Sequence, residues 1–331
     1  DQTTLQVGDE ELIGKHIVIA TGAVPRDLGI PGAELVATST EFLELAALPE
    51  RIVFIGGGYI SFEFAHIAAR AGAAVTILHR GERPLENFDA DLVDQLMAAS
   101  RDIGIDIQLQ TEVTAVEQTD TGLSVRTDRD GRRYEADMVV HGAGRVPAIK
   151  GLGLENAGVE FGERGIVVNE YLQSVSNPAV YAAGDAAATD GMPLTPVAVT
   201  EGYVVASNLL TGNHRVPDYT GVPSVVFTIP ALAKAGLGED EARAQGLEFA
   251  VNHRDTSGWY SARRTNEKHT GFKVLVEEKT GRILGAHLLS AHAGEVINLF
   301  ALAIRNGLTT SEIKKTVFVH PAESSDISYM V

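Results

Sequence analysis

The 331-residue sequence contains no cysteine. That excludes a disulfide scaffold, a cysteine metal site and thiol catalysis by the residues of this chain. Positive charge is scarce: 27 Lys and Arg stand against 44 Asp and Glu, for a net charge of −17. Nucleic acid and anionic membrane surfaces are therefore poor partners. No apolar run is long enough to span a bilayer, and Asp1, Gln2 and Thr3 form neither a basic nor an apolar signal region, so a cytoplasmic location is expected. The chain begins without Met, in what reads as the middle of a β-rich segment, as a fragment of something longer would.

A hydrophobic content of 44% and a charged content of 21% are those of a globular protein, and the length calls for two or three cores. The stretch that organises the rest runs from Arg51 to Arg83. An apolar run, Arg51 to Ile55, enters Gly56-Gly57-Gly58-Tyr59-Ile60-Ser61; a helical run follows to Gly72, and a second apolar run ends at Leu78. This order is that of a nucleotide-binding βαβ unit. Gly56 permits the tight turn, Gly58 lets the backbone approach a pyrophosphate, and the helix start offers N–H groups and a positive dipole end. Ser61 stands where a third glycine is usual and is small enough for close helix–strand packing. A glycine triplet alone would be an ordinary turn; the flanking elements make the difference.

The end of the second strand separates the two nicotinamide nucleotides. An acidic residue there would bind the ribose 2′-OH and repel a 2′-phosphate. Here the residues are His79 and Arg80, with Arg83 just beyond, and arginine forks match phosphate geometry. NADPH is expected over NADH. The plain alternative is that Arg80 and Arg83 solvate the strand end and pair with Glu82 or Glu86.

Before this unit, short strands are expected at Leu5 to Val7, Glu11 to Ile13 and His16 to Ala20, then a glycine turn from Thr21 to Arg26 and a helix from Thr40 to Leu48 ending at Pro49. After it, Asp89 or Asp91 caps a helix to Gly104, and strands follow at 105–109, 113–116, 123–127 and 134–140, with an Asp130-Gly131 hairpin turn. Residues 36 to 144 thus form an α/β unit with an antiparallel addition. Strands at Ile166 to Val168 and Ala179 to Ala183 precede an apolar helix from Pro196 to Leu210. From Pro223 four strands (224–228, 247–252, 272–277, 282–289) and helices at Ala293 to Asn306 and after Thr309 make an α+β domain.

With Thr21-Gly22, Gly56 to Glu63, Gly144-Arg145-Val146-Pro147, Ala183-Gly184-Asp185 and His320-Pro321 in this order, the chain resembles the FAD-dependent pyridine nucleotide–disulfide oxidoreductases. That family includes glutathione reductase, dihydrolipoamide dehydrogenase and mercuric reductase. The resemblance covers essentially the whole chain, while the family's N-terminal FAD fingerprint and its Cys-x4-Cys pair have no counterpart here. It implies a doubly wound, Rossmann-like NAD(P)-binding domain (36–144) inserted in a partial FAD domain (1–35 and 145–218), followed by a C-terminal α+β dimerisation domain (219–331).

The same resemblance assigns roles. Thr21 and Gly22 would lie near the FAD, Gly184-Asp185 would meet its ribityl chain, and Leu194-Thr195 would begin a helix facing the flavin ring. Glu63 resembles the family's carboxylate on the nicotinamide side of the flavin. Gly144 and Arg145 would help close the NADPH site, alongside Gly56, Gly58, Tyr59, Ile60, Ser61, His79, Arg80 and Arg83. Taken singly, Asp185 would be a turn residue, Glu63 a solvated helix residue and Thr195 a helix cap. His320 resembles the acid–base histidine that acts across a homodimer, a role suited to imidazole. In the family a Glu five residues later orients it; here that position is Ser325, with Asp326 next and Glu323 earlier. Asp326 is a candidate catalytic residue on this ground, and which carboxylate would partner His320 stays open. Tyr203 stands where glutathione reductases tend to carry Arg, and Thr200-Glu201-Gly202 is closer to the dihydrolipoamide dehydrogenase pattern, so the substrate stays open.

The expected activity is hydride transfer from NADPH to FAD and on to a disulfide or related small-molecule acceptor, with no metal. Two alternatives remain: a flavin-free NADPH-binding or dimerising module, and a relative that passes electrons from flavin directly to quinones. Without the first fingerprint and any cysteine, this chain on its own is expected to bind FAD poorly and to reduce no disulfide. Full flavin absorbance of the purified chain, or robust disulfide turnover, would refute that.

Overall fold

The computed structural model describes residues 3–129 and 131–331. Asp1, Gln2 and the Asp130 of the expected hairpin turn lie outside the described residues. The chain forms two compact units, one of Asp1–Arg26 with Arg145–Tyr219, the other of Asp27–Gly144 with Thr220–Val331.

In the first unit the strands are short and paired in twos. The hairpin Thr4–Val7 and Glu10–Ile13 forms as expected, and Ile17–Ile19 runs parallel to Val180–Ala182. Around that parallel pair, Ile19, Leu154, Val159, Ile166 and Ala186 form a small core. The segment expected to be only a glycine turn resumes as a strand: Ala23–Pro25 pairs antiparallel with Arg145–Pro147. Gly22, at φ +70°, makes the bend between them. The strand expected at Ile166 to Val168 shrinks to Gly165–Ile166. The apolar helix is present as Thr195–Thr211, and Gly212 ends it at φ 84°.

In the second unit a parallel four-stranded sheet carries the order Met138–His141, Arg51–Ile55, Ala74–Leu78, Asp106–Gln108. The helices Tyr59–Arg70 and Ala90–Asp102 bury Phe62, Ala65, Leu92 and Leu96 in the core shared with this sheet. Asp89, not Asp91, is the N-cap, accepting from the Leu92 N–H at 3.3 Å. The early helix covers only Ser39–Leu43, started by a capping box of Thr38 and Glu41. Phe42 faces the core while Leu43 is 69% exposed.

The strand expected over 134–140 is in fact two, in different sheets. Arg133–Ala136 pairs antiparallel with Gly122–Thr127, whereas Met138–His141 pairs parallel with Arg51–Ile55. Asp137 is the reason. Its carboxylate takes the Arg51 N–H at 2.9 Å and the Arg51 guanidinium at 2.6 Å, and its own N–H donates to the Arg51 carbonyl. Burial alternates before it and becomes continuous after it, as befits an antiparallel strand giving way to a parallel one.

The C-terminal sheet has five strands where four were expected. The additional strand is Ala231–Gly236, paired on one side with Ser224–Val226 and on the other with Ile283–Ser290. Alanine and lysine are weak strand formers, but small side chains suit this place, because Ala233 and Ala235 share a core with Val296, Ile297 and Phe300 of the helix Ala293–Arg305.

Two buried polar side chains tie the α/β part to this sheet. Lys273 Nζ lies 2.7 Å from Asp89, 2.6 Å from Asp91 and 3.4 Å from Glu239, and the side chains of Lys273 and Asp89 are each 6% exposed. Burial works against the ammonium charge, yet the bonds to Asp89 and Asp91 outweigh it and push its pKa up. His66, 1% exposed, hydrogen-bonds Ser100 Oγ through Nε2 at 2.9 Å and accepts the Ile229 N–H at Nδ1 at 3.2 Å. Burial, then the nearby Arg70 charge, lowers its pKa to about 4.

Removing the Lys273 charge strands Asp89 in the interior, so Lys273→Met should cost about 3–5 kcal/mol in urea unfolding; a loss below about 1 kcal/mol would contradict this account. The His66 effect has the opposite pH sense to that of a paired cation. The folded state keeps His66 neutral while the unfolded state takes up a proton below about pH 6.5, so stability falls as pH drops from there towards 4. At pH 4.5 the loss due to His66 should be on the order of 2 kcal/mol relative to pH 7, and His66→Asn should remove that increment.

Candidate functional site

The strand Arg51–Ile55, flanked by Ala74–Leu78 and Met138–His141, delivers the chain to Gly56. Gly56 has φ +106°, and a Cβ there would lie 2.5 Å from the Gly142 carbonyl oxygen, so only glycine fits. At Gly58 a Cβ would lie 3.3 Å from the same Gly142 carbonyl oxygen, a tight contact that glycine avoids. Gly58 is the N-cap of the helix Tyr59–Arg70, whose first turn has no side-chain cap and no acidic residue. Ser61 is fully buried, and among the described residues its Oγ has no hydrogen-bond partner. Gly142 packs so close that a Cβ there would lie 2.0 Å from that oxygen. The small residue at the third fingerprint position thus does what its size implied. An uncapped helix start behind a glycine turn fits a pyrophosphate.

His79 does not point out of the site. Its ring covers Gly57, where an added Cβ would meet it at 2.7 Å, and its Nε2 bonds the Arg83 carbonyl oxygen at 3.0 Å. Leu85 N–H donates to the Gly57 carbonyl at 2.9 Å, closing the loop back over the turn. Arg80 is exposed, and among the described residues no hydrogen bond or ion pair engages its guanidinium. The Arg83 guanidinium donates to the Glu86 backbone carbonyl at 3.4 Å. Neither arginine pairs with the carboxylate of Glu82 or Glu86 among the described residues.

Glu63, half-buried one turn along the helix, accepts the Phe227 N–H at Oε1 at 2.9 Å. Burial raises its pKa and this hydrogen bond partly offsets the rise. It is no solvated helix residue. Gly144, at φ +107°, closes the second unit, whereas Arg145 belongs to the first, where its guanidinium donates to the Ala23 carbonyl oxygen.

The first unit gathers the residues expected around a flavin. Asp185 sits in the turn Gly184–Ala186 at the end of Val180–Ala182, half-buried, and among the described residues its carboxylate has no hydrogen bond. Such a carboxylate fits hydroxyl donors from a ligand. Leu194, not Thr195, is the N-cap of Thr195–Thr211, with no capping hydrogen bond and no acidic residue in the first turn. Gly22 is open, with no atom within 4 Å of an added Cβ.

Sequence reasoning missed what holds this turn. Glu201, 1% exposed, accepts the Gly184 N–H at 2.6 Å, the Thr189 hydroxyl at 2.9 Å and the Tyr219 hydroxyl at 2.6 Å. Burial first, then Glu201, pushes the Tyr219 pKa up. A lone carboxylate in an apolar helix was the available signal.

His320 is exposed near the chain end. Its Nδ1 lies 3.5 Å from Ser325 Oγ and its ring is 6.3 Å from that of Tyr260. Among the described residues neither candidate carboxylate pairs with His320: Asp326 accepts from the Ser261 hydroxyl, and Glu323 accepts the His292 N–H at 3.2 Å. The turn of residues 323–326 aims both carboxylates inward, against elements that need an acceptor. Burial, ahead of other causes, raises the Glu323 pKa.

Residues 1–202 match the pyridine nucleotide-disulphide oxidoreductase family, and residues 222–331 match its dimerisation domain. Among curated proteins, a 19.7 kDa protein of the mercuric resistance operon of Staphylococcus aureus is 51% identical over 180 residues, covering 54% of this chain and 100% of that one. A glutathione reductase of Nostoc is 35% identical, over 100% of this chain and 74% of its own length. Among solved structures, the HOCl-induced flavoprotein disulfide reductase RclA from Escherichia coli superposes with a TM-score of 0.90 at 31% identity, covering 99% of this chain and 76% of that one. The glycine turn, the Asp185 turn and the C-terminal sheet are parts of one pattern: the chain belongs to the pyridine nucleotide-disulphide oxidoreductases, flavin-dependent oxidoreductases that use NAD(P)H.

Proposed function

We propose that this chain carries NADPH on the Gly56–Ser61 turn and supplies part of an FAD site at the Thr21-Gly22, Asp185 and Thr195 elements, and that, together with a dithiol from residues outside this chain, it serves reduction of a disulfide or related small-molecule acceptor as a cytoplasmic two-fold homodimer. In this reading residues 36–144 are the NADPH part, residues 1–35 with 145–218 the flavin part, and residues 219–331 the dimerisation part. The observation that carries the choice of NADPH is Arg80. It stands just past the strand Ala74–Leu78, exposed and unengaged among the described residues, where an NADH site would place a carboxylate. Arg83 is two residues beyond Gly81 on the same loop, and two guanidinium groups suit a dianionic 2′-phosphate.

When bound, NADPH supplies hydride and FAD relays its electrons to the acceptor. The residues of this chain orient and protonate. The helix start at Tyr59 binds pyrophosphate, and Asp185 accepts ribityl hydroxyls. Glu63, with its raised proton affinity, keeps a carboxyl group on the nicotinamide side. His320 gives and takes the proton of a thiol supplied by residues beyond this chain's own composition, which has no cysteine. The exposed apolar side chains of Val317 (95%) and Val319 (73%), just ahead of His320, support a second copy covering this segment.

Nucleotide titration tests the first part. Arg80→Ala should weaken NADPH binding by about 10- to 100-fold and leave NADH within about twofold; a wild-type chain that binds both equally, or prefers NADH, sinks the assignment. Sedimentation tests the second part. A dimer at micromolar concentration is expected, and a monomer would remove the role of His320 across the interface.

A further inference from the structure

The nucleotide-binding helix grips the entry to the C-terminal sheet with three side chains. Glu63, His66 and Arg70 follow one another at i, i+3 and i+7, so they line one face of the helix Tyr59–Arg70. All three end on the same short segment. Glu63 Oε1 takes the Phe227 N–H at 2.9 Å, His66 Nδ1 takes the Ile229 N–H at 3.2 Å, and Arg70 donates to the Ile229 carbonyl at 2.9 Å.

The hydrogen-bond chain fixes the histidine tautomer. Ser100 Oγ donates to the Leu96 carbonyl at 2.8 Å, so towards His66 Nε2, 2.9 Å away, it presents a lone pair. Nε2 therefore carries the proton, and Nδ1 is left as the acceptor that the Ile229 N–H needs. Ile229 N–H has one direction to point.

We propose that His66 is a positioning residue for Glu63: by holding Ile229 it fixes Phe227, two residues earlier, so that the Phe227 N–H meets the Glu63 carboxylate. Thr228, between them, is 3% exposed and bonds the Pro230 carbonyl through its hydroxyl at 2.7 Å, which keeps the segment stiff enough to pass the constraint along. The proposal rests on the reading of Glu63 as the carboxylate on the nicotinamide side, yet its test needs neither flavin nor nucleotide.

On the full chain, 15N NMR at pH 7 should show His66 as the neutral Nε2–H form; an Nδ1–H form or an imidazolium would overturn the proposal outright. Amide exchange supplies the second arm. His66→Ala should speed exchange at Ile229 and also at Phe227, by about tenfold or more. His66→Asn, whose Oδ1 can accept where Nδ1 does, should bring both back to within about threefold of the wild type. Faster exchange at Ile229 with Phe227 unchanged would overturn the link to Glu63, and so would an asparagine variant that behaves like alanine. Should His66→Ala not fold, the tautomer and the asparagine variant still decide. A failed NADPH titration would strike the functional reading and leave these results standing.

Discussion

The geometry of the second unit depends on one close approach of backbone to backbone. Two neighbouring parallel strands, Arg51–Ile55 and Met138–His141, run out into Gly56 and Gly142, and neither position has room for a Cβ. Because Gly142 has no side chain, Ser61 can settle against it, and the helix Tyr59–Arg70 can start at the edge of the sheet with its positive end over the carboxyl ends of the strands. The loop bearing Arg80 depends on the same turn. Gly57 supplies a carbonyl for Leu85 and a bare surface for the His79 ring, so the strand end and the glycine turn are held as one piece. A methyl group at Gly56, Gly57 or Gly142 would push the glycine turn and the strand end apart.

Around that contact, buried polar residues act as junctions between elements that apolar packing alone would leave free to slide. His66 links two helices and a loop, Lys273 links a strand to the start of the helix Ala90–Asp102, and Glu201 links a helix to two turns. Each is expensive to bury alone and is fully engaged. Such junctions set position more than stability: replacing every partner of a junction together by apolar side chains of equal volume could match the energy but would not specify which group each element faces.

Much of this was legible in the sequence, for physical reasons that differ by element. The βαβ unit declared itself through strand, glycine turn and helix in order, and the hairpin Thr4–Val7 with Glu10–Ile13 through its Gly8-Asp9 turn. The split at Asp137 was also written in the residues, as the change from alternating to continuous apolar character, but a single acidic residue inside a β-rich run is easily taken for an edge position. Ala231–Gly236 was not legible, since its fitness lies in how closely the helix Ala293–Arg305 can approach, a property of the partner and not of the strand. Glu63 was singled out only because its neighbours form a pattern. Its hydrogen bond to Phe227, 164 positions away, has no local signature.

The segment around His320 shows where a pattern and its chemistry separate. Two carboxylates lie within six residues of the imidazole in sequence, and both turn inward, Glu323 to the His292 N–H and Asp326 to the Ser261 hydroxyl. They anchor the turn that carries His320, and Arg264 adds a third tie at the Pro321 carbonyl, 3.3 Å away. What faces the imidazole instead is Ser325, whose hydroxyl donates to the Ala322 carbonyl at 2.6 Å and so offers Nδ1 only a lone pair. A hydroxyl oxygen in that posture can still select the Nδ1–H form and leave Nε2 as the basic nitrogen. It brings no negative charge to the ring. In this chain, then, the carboxylates hold the backbone and a neutral group holds the histidine, a division of labour set by which way a four-residue turn points its side chains.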